Sequence, residues 1–185
     1  QGTASAPALG GRYRLEYLGT GTLLLSGVSN RTDGVGYTEF DFSPTDSNSI
    51  DIRITATTNG DHIRGMKCFL VAHSALVASG KVVHPAFTAA YGNIGLLRFM
   101  MSQDINKNAQ SAWTDAPRPT SIGKGASWLE MVKVCNELGC NGWFHFPYAA
   151  TSDYCTQAAT IVRDNLNPAL KAYFEYGNEC WNNSY

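Results

Sequence analysis

Charge is scarce in this sequence. Asp, Glu, Lys and Arg make up 16% of its 185 residues, the formal net charge is -1, and basic residues never run together. The chain therefore offers no electrostatic footprint for nucleic acid or for an anionic lipid surface. No apolar stretch approaches the roughly 18 residues that a membrane-spanning helix needs. The longest apolar cluster, residues 68–78, is interrupted by His73 and Ser74, so membrane insertion is not expected. The Gly-x-Ser-x-Gly elbow of a serine nucleophile is missing, as is any Gly-rich phosphate loop. Neither a Cys-x-x-Cys pair nor zinc-type histidine spacing occurs, and no metal or other cofactor is expected.

What is present is a globular composition. Hydrophobic residues reach 44%, enough for a sizeable core in one domain, or in a small domain plus part of another. Residues 1–11 are small, polar and rich in Gly, Ala and Pro, and are expected to be a flexible N-terminus. The opening Gln1 fits a processed mature end, although trimming for expression accounts for it equally well. Five cysteines are an odd number, so at least one stays unpaired or pairs between chains. Cys135 and Cys140 flank an expected helix end and are able to bridge. Asn30-Arg31-Thr32 and Asn182-Asn183-Ser184 match the glycosylation acceptor pattern, which matters only in a eukaryotic secretory route.

Residues 12–60 read as an antiparallel β module. Tyr13, Leu15 and Tyr17 alternate, then Leu23 and Leu25, Phe40 and Phe42, and Ile50, Ile52 and Ile54, the two-residue rhythm of half-buried strands. Gly19-Thr20-Gly21 reads as a hairpin connection, with further turn signals at Asp33-Gly34 and Asn59-Gly60. A small sheet or sandwich follows. Such modules often bind carbohydrate, and more commonly pack against or present a neighbouring domain.

From residue 61 to 185 strands alternate with helical or long-loop segments, which argues for parallel βα units. Strands are expected at 63–71, 95–100, 142–146 and 171–176. A helix over 127–138 has a capping box in Ser127 and Glu130, one apolar face in Trp128, Met131, Val132, Cys135 and Leu138, and a left-handed stop at Gly139. A second helix, 152–166, sets Cys155, Ala158, Ala159, Val162 and Leu166 on one side and ends at Asn167-Pro168. The roughly 25-residue connection before the first of these helices far exceeds the usual length of about 4 to 6. It carries Trp113, Asp115, Arg118 and Lys124 and reads as a substrate-side loop.

The segment Tyr173-Phe174-Glu175-Tyr176-Gly177-Asn178-Glu179-Cys180-Trp181 sends an aromatic strand, expected to be buried, into Gly-Asn-Glu. Here the chain resembles the retaining (β/α)8-barrel glycoside hydrolases, whose fourth strand ends in Asn-Glu. Gly95 to Met100, with Arg98, resembles that superfamily's second strand, and Trp143-Phe144-His145-Phe146-Pro147 its third. The resemblance spans about residues 63–185. It implies a parallel (β/α) barrel, of which about the first half is present in this chain, behind the small β module.

It also implies roles. Glu179 would be the general acid/base, since breaking a glycosidic bond needs a proton donor at the leaving oxygen and a second carboxylate across the sugar. Asn178 would hydrogen-bond the hydroxyl beside the reacting carbon. Arg98 would hold the second carboxylate ionised, because an adjacent guanidinium favours the charged form; a structural ion pair is the alternative. His145 reads as a substrate contact or as a hydrogen-bonded core residue, and Trp143 as a subsite or as core. Tyr148, Trp181 and Trp113 are further candidates for stacking on a sugar face. Glu175, about 13 Å from Glu179 on an extended strand, is excluded as the partner carboxylate. In the superfamily that group ends the seventh strand, so a C-terminal half or a second chain is expected to complete the barrel. The expected partner is a carbohydrate, and the expected place extracellular or at the cell surface. The competing class is a non-catalytic carbohydrate-binding or structural assembly protein on a degenerate barrel.

Overall fold

In the computed structural model, residues 9–47, 49–103, 105, 110–119 and 125–179 are described. The chain divides into two compact units, residues 1–81 and 82–185.

The first unit is built from six strands: β1 (Gly11–Leu18), β2 (Gly21–Ser26), β3 (Ser29–Gly34), β4 (Tyr37–Phe42), β5 (Asp51–Thr57) and β6 (Arg64–Leu70). Four form an antiparallel sheet in the order β3-β4-β1-β6, while β2 and β5 pair separately. The alternation seen in the sequence supplies the core. Leu15, Leu23, Phe40 and Ile63 are buried together, with Tyr13, Tyr17, Leu25, Val28, Ile50 and Ile52 packed against them. Each such side chain taken from water contributes about 1.5 to 3 kcal/mol.

Two expectations are corrected here. Gly19 and Thr20 do not close a hairpin, because β1 and β2 belong to different sheets. Gly19 instead takes φ 86°, with the His62 carbonyl where a side chain would start. Residues 63–71 are not the first strand of a parallel series: β6 runs antiparallel against β1, Leu15 opposite Cys68. The chain reverses at Asn59-Gly60, where Thr58 and Asp61 pair, before entering β6. A two-residue period marks a strand and says nothing of which neighbour it will take.

The second unit holds the parallel strands β7 (Leu96–Arg98), β8 (Asn141–Phe146) and β9 (Ala172–Tyr176) in that order. A 3-10 turn (Val71–His73) and α1 (Ser74–Ala78) close the first unit, and α2 (Pro85–Tyr91) precedes β7. Helix α3 (Trp128–Leu138) leads into β8, and α4 (Ser152–Asn165) connects β8 to β9. The Glu130 carboxylate accepts from the Ser127 N–H at 2.9 Å and hydroxyl at 2.7 Å, and Ser127 Oγ accepts from the Glu130 N–H at 3.3 Å. That box satisfies donors the first helical turn would leave orphaned. Thr151 caps α4 through the Tyr154 N–H. The core joins Trp128, Met131, Val132, Cys135 and Leu138 of α3 to Phe144 of β8 and to Tyr154, Ala158 and Val162 of α4.

The expected half-barrel is overturned. Among the described residues the second unit has three parallel strands in an open sheet and the first has antiparallel sheets, with no parallel barrel of alternating β/α units. Local alternation specifies a parallel crossover, whereas closure depends on strand number, tilt and stagger, which no short motif encodes. The aromatic strand expected to be buried is an edge: Tyr173, Phe174 and Tyr176 are 47%, 42% and 50% exposed. Among the described residues no helix is long and apolar enough to cross a membrane.

Candidate functional site at the ends of the parallel strands

Side chains alternate across the parallel sheet, so its two faces differ in chemistry. Phe144, Phe146 and Phe174 turn toward the helices, with Trp128 5.6 Å from Phe146 and Phe174 stacked 5.1 Å from Phe146. Arg98, Trp143, His145 and Glu175 occupy the alternate positions, one or two on each strand, near the carboxyl ends.

These four form one connected cluster with Asn178. One Arg98 amino group donates to Glu175 Oε2 at 3.0 Å and to Asn178 Oδ1 at 2.8 Å. The guanidinium lies 4.7 Å from the Trp143 ring centre, and the indole stacks on His145 at 6.2 Å and 6°. His145 is fully buried. Its Nδ1–H donates to the Gly177 carbonyl at 3.0 Å, which leaves Nε2 as the acceptor nitrogen, buried and without a partner among the described residues. The Glu175 carboxylate also sits 3.5 Å from His145 Nδ1.

The electrostatics follow from this crowding. Burial pushes the His145 imidazole below its ordinary value, outweighing the Gly177 carbonyl and the Glu175 charge, and Arg98 adds to the depression. The ring is thus kept neutral. Burial works to raise the Glu175 carboxyl, yet the Arg98 hydrogen bond, the fields of His145 and Arg98, and the Glu179 main-chain N–H together hold it below its usual range. Glu175 is an ionised acceptor.

The backbone after β9 explains how Glu179 comes near. Gly177 adopts φ 70° and Glu179 φ 46°, the left-handed region that an ordinary side chain visits only when its surroundings compel it. The chain therefore curls rather than continuing extended, and the Glu179 N–H reaches the carboxylate of Glu175. The 13 Å separation inferred from an extended strand does not apply.

Of the site residues read from sequence, Arg98, Trp143, His145 and Asn178 come together, and half-buried Glu179 joins through its main chain. Tyr148 is 58% exposed just beyond β8. Trp113 lies elsewhere, edge-on to Tyr154 at 5.4 Å in the core beside α4. Trp181, Cys180, Lys124, Asp104 and the acceptor pattern at Asn182 fall outside the described residues. Asp153 sits in the first turn of α4, where its charge suits the helix dipole. Among the described residues no three His, Cys, Asp or Glu side chains gather to hold a metal ion.

Sequence reading missed two members. Glu175 was set aside on distance, although it is the acceptor around which the cluster is organised. Gln103, 4% exposed, accepts from the His145 N–H at 2.9 Å and so anchors β8 from the loop. A buried glutamine in an irregular segment carries no periodic signal that would reveal it. A groove of about 610 Å³ between α4 and β9, lined by Val162, Leu166, Leu170 and Phe174, is separate in character: among the described residues Arg163 is the one titratable group along it.

Compared with family models, with curated proteins and with solved structures, the chain matches none of them.

Proposed function

We propose that this chain serves a glycoside hydrolase of the retaining type, with Glu179 as general acid/base on a carbohydrate substrate. The observation that carries the reading is the convergence of Arg98, His145, Glu175, Asn178 and Glu179 at the carboxyl ends of three adjacent parallel strands. That is the end at which parallel-sheet enzymes gather their reacting groups. Arg98 takes the Asn178 carbonyl oxygen, which orients the amide with its NH2 as the donor end, the end that suits a sugar hydroxyl. The neutral His145 and ionised Glu175 hold that arrangement from beneath. Trp143, its ring already covered by Arg98 and stacked on His145, fixes the guanidinium beside Asn178. Glu179 protonates the departing oxygen, and the second carboxylate of such a pair stands about 5 to 5.5 Å away across the sugar.

Glu179→Gln in the intact protein tests this. Turnover of unactivated glycosides should disappear while the unfolding midpoint stays unchanged, because the amide keeps the shape and loses the proton. Retained turnover would remove Glu179 from the role.

One observation favours a second reading, a glycan-binding site without chemistry. The carboxylate beside the Glu179 backbone, Glu175, is already committed to Arg98 and His145. Glycan binding by the unaltered protein with no turnover across a substrate panel would select that reading.

A further inference from the structure

Helix α3 ends in a Schellman arrangement. Gly139 turns the chain at φ 66°, and its N–H and that of Cys140 both return to the Cys135 carbonyl, the second at 3.1 Å. This turn folds the residue after the glycine back over the last helical turn, where an apolar pair ordinarily closes the motif. Here both members of the pair are cysteines. Cys135 and Cys140 are 0% and 1% exposed, and their thiols lie within hydrogen-bonding reach of each other. The Cys135 sulfur packs against Gly142, where an added Cβ would stand 3.0 Å from it.

We propose that Cys135 and Cys140 are an oxidation site that closes to a disulfide, stapling the end of α3 to the start of β8. The free thiols seen here are its reduced form. The fold itself sets the pairing, since the two residues are brought together by main-chain hydrogen bonds that exist without the sulfur bond. The strand so tethered carries Trp143 and His145.

A low-molecular-weight disulfide such as glutathione disulfide supplies the oxidant. One cysteine thiolate attacks it, forming a mixed disulfide and releasing one glutathione. The second thiolate displaces the other glutathione, so two protein thiols become one disulfide and the oxidant becomes two thiols. Burial, with the neighbouring thiol, pushes Cys135 up to about 12, and burial raises Cys140 too. Thiolate is therefore scarce in the packed chain, and exchange proceeds when the end of α3 opens or before it packs. Such a pair closes in an oxidising compartment and stays open where glutathione is kept reduced.

Glu137 lies between the two cysteines and provides the assay. The chain is equilibrated with glutathione disulfide, denatured, alkylated with iodoacetamide and cleaved after glutamate and aspartate, the cut at Asp153 putting Cys155 on a separate fragment from Cys140. The fragments on either side of Glu137 should travel as one species, lighter by two hydrogens than their sum, and should separate on reduction. Alkylation of both Cys135 and Cys140, or linkage of either to another cysteine, would overturn the proposal. A Cys135→Ala/Cys140→Ala variant gives an independent reading. Reduction should lower the thermal midpoint of the oxidised parent and leave that of the variant unmoved. An equal redox-dependent drop in the variant would place the effect elsewhere. Should the variant not fold, the fragment masses of the parent decide alone.

Discussion

Arg98 donates to the Glu175 carboxylate at 3.0 Å by reaching over the indole of Trp143, so the first and third strands of the parallel sheet are tied together across the second. The two side chains are 33% and 18% exposed, between the surface and buried regimes. Arg98→Ala leaves Glu175 an under-partnered carboxylate and removes a donor from Asn178 Oδ1. A loss of about 1 to 3 kcal/mol is expected for a hydrogen-bonded charge stripped of its partner. Urea unfolding measures it. Arg98→Lys should recover only part, because an ammonium can donate to both acceptors but lacks the flat guanidinium that covers the Trp143 ring. Full recovery by lysine would show that charge alone matters.

Acidification should weaken the cluster in two stages. His145 and Glu175 both sit below their ordinary values of 6.5 and 4.5. In each case the unfolded chain takes up a proton at a higher pH than the folded one. The stability each group contributes is then complete above its ordinary value and is lost as pH falls toward the folded value. Urea midpoints between about pH 8 and about pH 3 should decline first below the histidine range and again below the carboxylate range. His145→Asn, which keeps a donor for the Gly177 carbonyl, should remove the first decline. Glu175→Gln should make the second shallower. Identical profiles for parent and variants would detach the linkage from these residues.

How much of this was legible in the sequence differs by kind of signal. Helix α3 could be read nearly whole, because the capping box, the apolar face and the glycine stop are local and point to one answer. The crossover from β8 through α4 to β9 could be read for the same reason, as could the strand bearing Arg98. Sheet neighbours could not. The strand over residues 64–70 has the same appearance whether it lies against β1 or begins a parallel series, and closure into a barrel has no local signature at all. Within the site, Arg98, His145 and Asn178 were visible as polar residues at strand ends. Glu175 was hidden by the assumption of an extended chain, which the left-handed backbone at Gly177 and Glu179 defeats.

Gln103 tests the buried support of the site. Its carbonyl oxygen is the acceptor for the His145 N–H, and both residues are out of water. Gln103→Met keeps the length and removes the acceptor, leaving a buried amide unsatisfied at a cost of about 1 to 3 kcal/mol. The variant should unfold at lower urea, and the His145 amide should exchange with solvent faster than in the parent. An unchanged exchange rate would mean that other contacts, not this bond, hold β8 in place.

Two glycines three residues apart separate backbone strain from crowding. A Cβ at Gly139 meets nothing within 4 Å, but the residue sits at φ 66°. Gly139→Ala should therefore cost about 1 kcal/mol, the left-handed conformation alone being at fault, and Gly139→Asn should recover part of it because asparagine tolerates that region. At Gly142 the backbone is unexceptional, but a Cβ would stand 2.4 Å from the Phe144 ring and 3.0 Å from the Cys135 sulfur. Gly142→Ala should cost about 1 to 3 kcal/mol through overpacking, and Gly142→Asn more, since a larger side chain aggravates a clash. Thermal unfolding of the four variants decides between the two causes: opposite responses to asparagine are expected, and parallel responses would show that both positions fail for the same reason.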